Sequence, residues 1–173
     1  GGLRVGPGGQ RMCASTFRTG ERRMPIIIRE ADVEDAARIV LFNQAMARET
    51  EGRELDRKVL TKGVERLLKD PARGRYFVAV KGDEIVGQVM ITTEWSDWRN
   101  GLVWWLQSVY VSKLHRREGV YRMLHEHVRE TARVEKVLGI RLYVERDNLP
   151  AQETYRALGM GASQYLMYEE MWA

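Results

Sequence analysis

Hydrophobic positions along the chain change their period several times, and each change marks an expected element. Ile26, Ile27 and Ile28 form a β-branched run bounded by charge, which predicts a short strand. Asp32 then precedes Val33, Ala36, Ala37 and Val40. That three-to-four spacing predicts a helix with Asp32 as its N-cap and Asp35 at the N3 position. A polar stretch over residues 48–54 breaks the pattern. Asp56 caps a second helix with Leu60, Val64, Leu67 and Leu68 on one side, and Pro71 follows its end. Residues 75–80 read as a strand, Lys81-Gly82-Asp83-Glu84 as a hairpin turn, and residues 85–93 as the returning strand. A polar loop over 95–101 leads into the apolar run 102–111. Val120, Met123, Leu124 and Val128 share one face of a helix expected to reach about residue 138. Residues 140–144 predict another strand, residues 150–158 a short helix ended by Gly159, and residues 165–172 a final strand.

The order is β-α-α-β-β-β-α-β-α-β. Three antiparallel strands precede a β-α-β crossover, which is expected to be right-handed and to make a parallel pair. No internal repeat interrupts this series.

Composition changes this picture little. With 44% hydrophobic and 30% charged residues over 173 positions, the chain resembles an ordinary globular domain. No run of ~18 apolar residues suggests a membrane span. The basic start lacks the apolar core of a secretory signal. Cys13 is the one cysteine, so neither an internal disulfide nor a Cys/His metal spacing is expected, and a reducing, cytoplasmic setting fits best. The net charge of +4 is confined to residues 1–23, where five arginines face Glu21 alone. The remainder balances 23 basic against 23 acidic residues, by subtraction from totals of 28 and 24. Residues 1–23 therefore read as a disordered or start-site-derived tail and 24–173 as one folded domain. A nucleic-acid partner is not expected, because the basicity does not belong to that domain.

The informative chemistry lies between Leu106 and Tyr121. An apolar strand ends at Val111, a basic loop follows, and Gly119 opens an amphipathic helix. Free N–H groups and the dipole of a helix start make an anion site. Gly119 would let a phosphate approach the backbone closely, and Lys113, Arg116, Arg117 and Arg122 would surround it with positive charge. A pyrophosphate suits such a turn. By itself Gly119 also fits a plain tight turn, and the arginine pair a solvated surface.

Two motifs go further. Val109-Tyr110-Val111 is followed by Arg116-Arg117-Glu118-Gly119-Val120-Tyr121, and Asn148, Ala151, Tyr155 and Gly159 follow at a fixed spacing with Met160 behind them. These resemble the two signatures of the GNAT N-acetyltransferase family, Arg/Gln-x-x-Gly-x-Gly/Ala after a V-x-V strand and Asn-x-x-Ala-x-x-x-Tyr-x-x-x-Gly-Phe. Tyr121 stands where that family favours a small residue, Arg117 where glycine is common second, and Met160 in the aromatic place. Ile28-Arg29-Glu30-Ala31 with Asp35-Ala36 is similar to the family's first strand and helix, so the likeness spans roughly residues 25–160.

The resemblance implies an α/β (α+β) fold. Its central, mostly antiparallel mixed sheet would have six to seven strands, a splayed parallel pair and about four flanking helices. It implies an enzyme that binds acetyl-CoA without a metal and moves the acetyl group to a primary amine on a small molecule or peptide. Backbone groups of Val109, Tyr110 and Val111 would pair with the pantetheine arm as an added strand. Arg116, Arg117, Glu118, Gly119, Val120, Tyr121 and Arg122 would hold the pyrophosphate, with Asn148, Ala151 and Tyr155 completing the cofactor site. An amide near Val109 would stabilise the oxyanion. Tyr155, whose ordinary pKa of ~10 lies above a thiol's ~8.5, would protonate the leaving sulfur as general acid, although its helical face also fits a core role.

The attacking amine must lose a proton. Glu145 and Glu94 are candidate bases, acting through water. Gln107, expected on the face of Val109 and Val111 by the two-residue period, lines the active site where many relatives carry a carboxylate. That glutamine keeps open a non-catalytic acyl-CoA sensor as the alternative. Trp104 and Trp105 read as buried, His125 and His127 as surface residues, and Cys13 as remote. The acceptor is expected between residues 43–56, with Glu49, Glu51, Glu54 and Asp56, and the loop at 95–101. The final strand could pair across a homodimer.

Overall fold

The computed structural model describes residues 24–172; the tail, with Cys13, lies outside the described residues. Strand β1 (Ile26–Glu30) leads through a 3-10 turn (Val33–Asp35) into α1 (Ala36–Glu51). The expected capping box forms. The Asp32 carboxylate accepts from Glu34 N–H, and Asp35 accepts from Asp32 N–H at 2.9 Å. Asp35 also takes a two-pronged bond from Arg29 at 2.7 and 2.9 Å, which holds its carboxyl below the ordinary range. α1 ends at Gly52 in the left-handed conformation. Asp56 caps α2 (Arg57–Lys69) by accepting from the Lys58 and Val59 amides.

Strands β2 (Arg75–Lys81), β3 (Glu84–Ser96) and β4 (Gly101–Val111) form antiparallel hairpins. α3 (Val120–Val134) then crosses to β5 (Gly139–Arg141), which pairs parallel with β4, and α4 (Leu149–Ala157) follows. The sheet order is β1-β2-β3-β4-β5. α3 covers one face, where Leu124 and Val128 pack on Phe77, Ile91, Trp104 and Leu106. α1 and α2 cover the other, where Ile39, Val40 and Val64 pack on Tyr76 and Val78.

Three expectations are corrected. The sheet has five strands rather than six to seven, because residues 165–172 form no strand and their side chains, Tyr165, Tyr168 and Trp172 among them, stay exposed. β5 ends at Arg141, since its pairing with β4 stops at Trp105↔Arg141. α3 stops at Val134 because Lys136 takes a left-handed φ of 59°, so that Val137 N–H reaches Ala132 C=O and Lys136 N–H reaches Arg133 C=O, a Schellman closure. Gly159 closes α4 in the same way, with Met160 N–H on Tyr155 C=O, as its sequence position predicts. No helix among the described residues is long and apolar enough to cross a membrane.

Candidate functional site

The site is built around an irregularity in β4. Met90 pairs with Gln107 and Gln88 with Tyr110, so Ser108 and Val109 together oppose Val89. This is a β-bulge, with Ser108 at φ 48°. The extra residue resets the alternation of side chains. Val109 and Val111 pack on the α3 side. Tyr110 turns to α1, where its hydroxyl donates to Glu49 at 2.8 Å and its ring lies 5.0 Å from Phe42. Gln107, whose amide donates to Thr92 Oγ1 at 2.9 Å, shares that second face. The expectation that Gln107 faces the same way as Val109 and Val111 is therefore corrected; a two-residue period cannot be carried across a bulge.

Beyond Trp105 the β5 side of β4 has no strand partner in register, so the parallel pair splays from Leu106 onward. At the end of β4 a second 3-10 turn (Lys113–His115) leads to two left-handed residues, Arg117 at φ 66° and Gly119 at φ 80°. α3 starts directly after them with no side-chain cap and no acid in its first turn. Its first N–H groups are free to meet an anion, and the helix end adds ~0.5 positive charge. A Cβ placed on Gly119 would touch nothing within 4 Å, so the space in front of that mouth is open.

The basic residues do not all face it. Arg116 donates to Val111 C=O at 3.1 Å and to Glu49 at 2.6 Å, and its guanidinium lies 5.5 Å from the Tyr110 ring centre. Lys113 approaches the same Glu49 carboxylate at 3.4 Å. Burial alone would raise Glu49, but bonds from Arg116 and Tyr110 outweigh it and hold its carboxyl below the ordinary value. Burial and this carboxylate push Tyr110 up. Lys81 pairs with Glu118 at 2.8 Å. Arg117 and Arg122 are exposed, and Val120 is a core residue.

Tyr121 packs inward rather than across the mouth. Its ring meets Tyr155 edge-on at 5.8 Å and His125 at 6.0 Å, joining α3 to α4. Burial, with Tyr155 nearby, pushes the Tyr121 hydroxyl well up, and burial also raises Tyr155. Asn148 caps α4 by accepting from Ala151 N–H at 3.2 Å. Glu145 is exposed and lies past the end of β5 instead of on a strand, and its carbonyl accepts from Gln152 and Asn148 N–H. Glu94 receives Trp105 Nε1–H and, at 2.7 Å, Arg141, which together hold its carboxyl low.

His125 corrects a further expectation. It is buried at 2% exposure, because Tyr121, His125, Val128 and Ala132 form a second inward row beside Val120 and Leu124. Sequence reasoning also passed over Asn43, Tyr76 and Gln88, a buried polar chain beneath the bulge. Nothing in their local pattern separates them from ordinary strand and helix positions. Glu49, named with the acidic segment near the acceptor, instead lies in the last turn of α1 and engages Arg116 and Lys113 beside the helix mouth. Trp104 is buried as expected, whereas Trp95 and Trp98 are exposed. Among the described residues no group of three or more His, Cys, Asp or Glu could hold a metal ion.

The profile of the acetyltransferase (GNAT) family matches residues 39–160, which contain the bulge, the helix mouth and α4. The chain belongs to the GNAT family. A possible acetyltransferase from Clostridium difficile 630 is 47% identical to this GNAT chain, over 86% of it and 98% of that protein, with a TM-score of 0.81. A streptothricin acetyltransferase from Escherichia coli is 32% identical over 76 residues; the GNAT chain spans 41% of that relative's length. A predicted acetyltransferase from Clostridium acetobutylicum, solved with acetyl-CoA, shares the fold at 17% identity and a TM-score of 0.70, over 84% of this chain and 96% of that one.

Proposed function

We propose that this GNAT chain is an N-acetyltransferase that takes an acetyl group from acetyl-CoA and transfers it to a primary amine, on a small molecule or peptide, by direct attack in a ternary complex. One observation carries the reading: an uncapped helix mouth with left-handed Arg117 and Gly119 sits at the end of a strand that is splayed from its parallel neighbour. An acetyl-CoA molecule fits this arrangement. Amides of residues 117–121 would hold its diphosphate, and the free edge of β4 at Val109 and Val111 would pair with its pantetheine arm. The acetyl-CoA-bound relative supports that choice of donor.

In this reading the Val109 N–H, outside the sheet register, bonds the thioester oxygen. Tyr155, whose proton is held more tightly by burial, donates it to the departing sulfur. The amine's proton leaves through water. Glu94 is the better-placed carboxylate, on the half of the sheet that carries Gln107 and Trp105, whereas Glu145 faces solvent. A second reading, a non-catalytic acyl-CoA sensor, is favoured by the Gln107 amide, which is locked onto Thr92 and accepts no proton.

The test is a thermal-shift titration with acetyl-CoA followed by an amine panel assayed for released thiol. We expect a rise in Tm with acetyl-CoA and thiol release with at least one amine. Tyr155→Phe should then lower kcat about 10²- to 10⁴-fold, the range of general acid catalysis, with acetyl-CoA affinity nearly kept. Binding without turnover across the panel would favour the sensor, and no binding would refute both.

A further inference from the structure

We infer that Gln88, with Asn43 and Tyr76, is a positioning unit for acetyl transfer: these side chains hold the Ser108 bulge in the shape that leaves the Val109 N–H free to meet the thioester. The inference rests on the donor-site reading above.

Four elements contribute. Asn43 comes from α1, Tyr76 from β2, Gln88 from β3 and Ser108 from β4. The first three are 5%, 2% and 0% exposed, so their polar atoms must find partners inside the protein. Asn43 Nδ2 donates to the Tyr76 hydroxyl at 3.0 Å. Gln88 Nε2 donates to Asn43 Oδ1 at 2.8 Å and to the Ser108 carbonyl at 3.2 Å. The chain of bonds thus ends on the one residue of β4 with a positive φ.

Ser108 adopts a backbone conformation that L-residues rarely take, and such a conformation persists only where its surroundings enforce it. The Ser108 carbonyl is caught by the Gln88 side chain from the neighbouring strand, which Asn43 and Tyr76 brace in turn. Without them the strand can relax into regular pairing. Val109 would then enter the β3 ladder, its N–H would be consumed there, and the side chains beyond it would change face. The arrangement is costly for a core, since Gln88 Oε1 lies buried without a hydrogen-bond partner. An apolar side chain at Gln88 would fill the space without that cost but could not grip the Ser108 carbonyl.

The test needs no knowledge of the amine. Wild type, Gln88→Met and Tyr76→Phe are first confirmed as folded by circular dichroism. Each is then titrated with CoA and with acetyl-CoA, and the thioester carbonyl stretch of bound acetyl-CoA, carbon-13 labelled at the carbonyl, is read by isotope-edited infrared. In wild type the bound carbonyl should absorb at lower frequency than free acetyl-CoA, because an N–H polarises it. In Gln88→Met the shift should fall by more than half. The preference for acetyl-CoA over CoA should fall about fivefold, what one net hydrogen bond is worth, while CoA affinity stays within about twofold. Tyr76→Phe, which removes only a hydroxyl, should do the same to a smaller degree and carries the test if Gln88→Met does not fold. A merely structural role would lower Tm and leave the carbonyl frequency unmoved. A wild-type shift that survives in every folded variant overturns the inference alone. Absence of binding or of any shift in wild type overturns the donor-site reading and the inference with it.

Discussion

Gly119 and Gly52 form a matched pair for testing the helix mouth. Both are left-handed, at φ 80° and 61°, and a Cβ on either would meet nothing within 4 Å. Substitution by alanine therefore costs backbone strain and no collision at both positions. A left-handed alanine is disfavoured by roughly 1–2 kcal/mol, and the lower entropy of the stiffer unfolded chain offsets part of that cost, so each variant should lose about 1 kcal/mol. For a chain of this size that is a Tm decrease of roughly 2–4 °C. The two differ in what lies ahead of them. Gly52 ends α1, whereas Gly119 opens α3, where the diphosphate would come close to the backbone. Isothermal titration with CoA should show Gly52→Ala binding like wild type. Gly119→Ala should bind at least about tenfold more weakly, a further ~1.4 kcal/mol felt only by the complex. If Gly119→Ala loses the same stability as its partner and still binds CoA within about twofold of wild type, the helix mouth is not the diphosphate site.

Three other outcomes follow from the same geometry. Glu49→Gln removes the carboxylate that engages Arg116 and Lys113 next to the mouth, so CoA should bind several-fold more tightly at low salt, with a steeper salt dependence; equal or weaker binding in titrations at two ionic strengths refutes this. His125 is depressed by burial first and then by Arg129, so the unfolded chain binds its proton more readily than the folded one. Stability is then complete above the unfolded value of ~6.5 and declines as pH falls below it, and a His125→Leu variant should show a flatter Tm profile between pH 7 and pH 5. Leu124, fully buried between α3 and the sheet, should cost about 2–5 kcal/mol in urea unfolding when changed to alanine, and a smaller loss would mean the site collapses around the gap.

The fold was legible where local chemistry decides local structure. Asp32 and Asp56 announce their helices because a carboxylate at that position satisfies otherwise free amides, and both do so here. The hairpin at Gly82 and the end of α4 at Gly159 are similarly readable, since both need a left-handed residue. What sequence could not show depends on partners distant along the chain. Ser108 carries no mark of a bulge, because the side chain that meets its carbonyl, Gln88, lies 20 residues away on another strand. Lys136 closes α3 without the glycine that would have signalled it. Residues 142–144 are apolar enough for a strand, yet the pairing with β4 ends one residue earlier, at Arg141. His125 read as a surface residue because its row of the helix is part polar, although the row points inward.

The kink in β4 gives a single strand two allegiances. Gln107 looks to the side of Thr92, away from α3, whereas Val109, only two residues on, answers to α3. Because Ser108 separates these two positions, under the proposed function the first could change to suit a new amine while the second keeps its place for the same acyl carrier. Under that reading a new acceptor would call for point substitutions on one face of the strand, with no insertion, deletion or rebuilt loop.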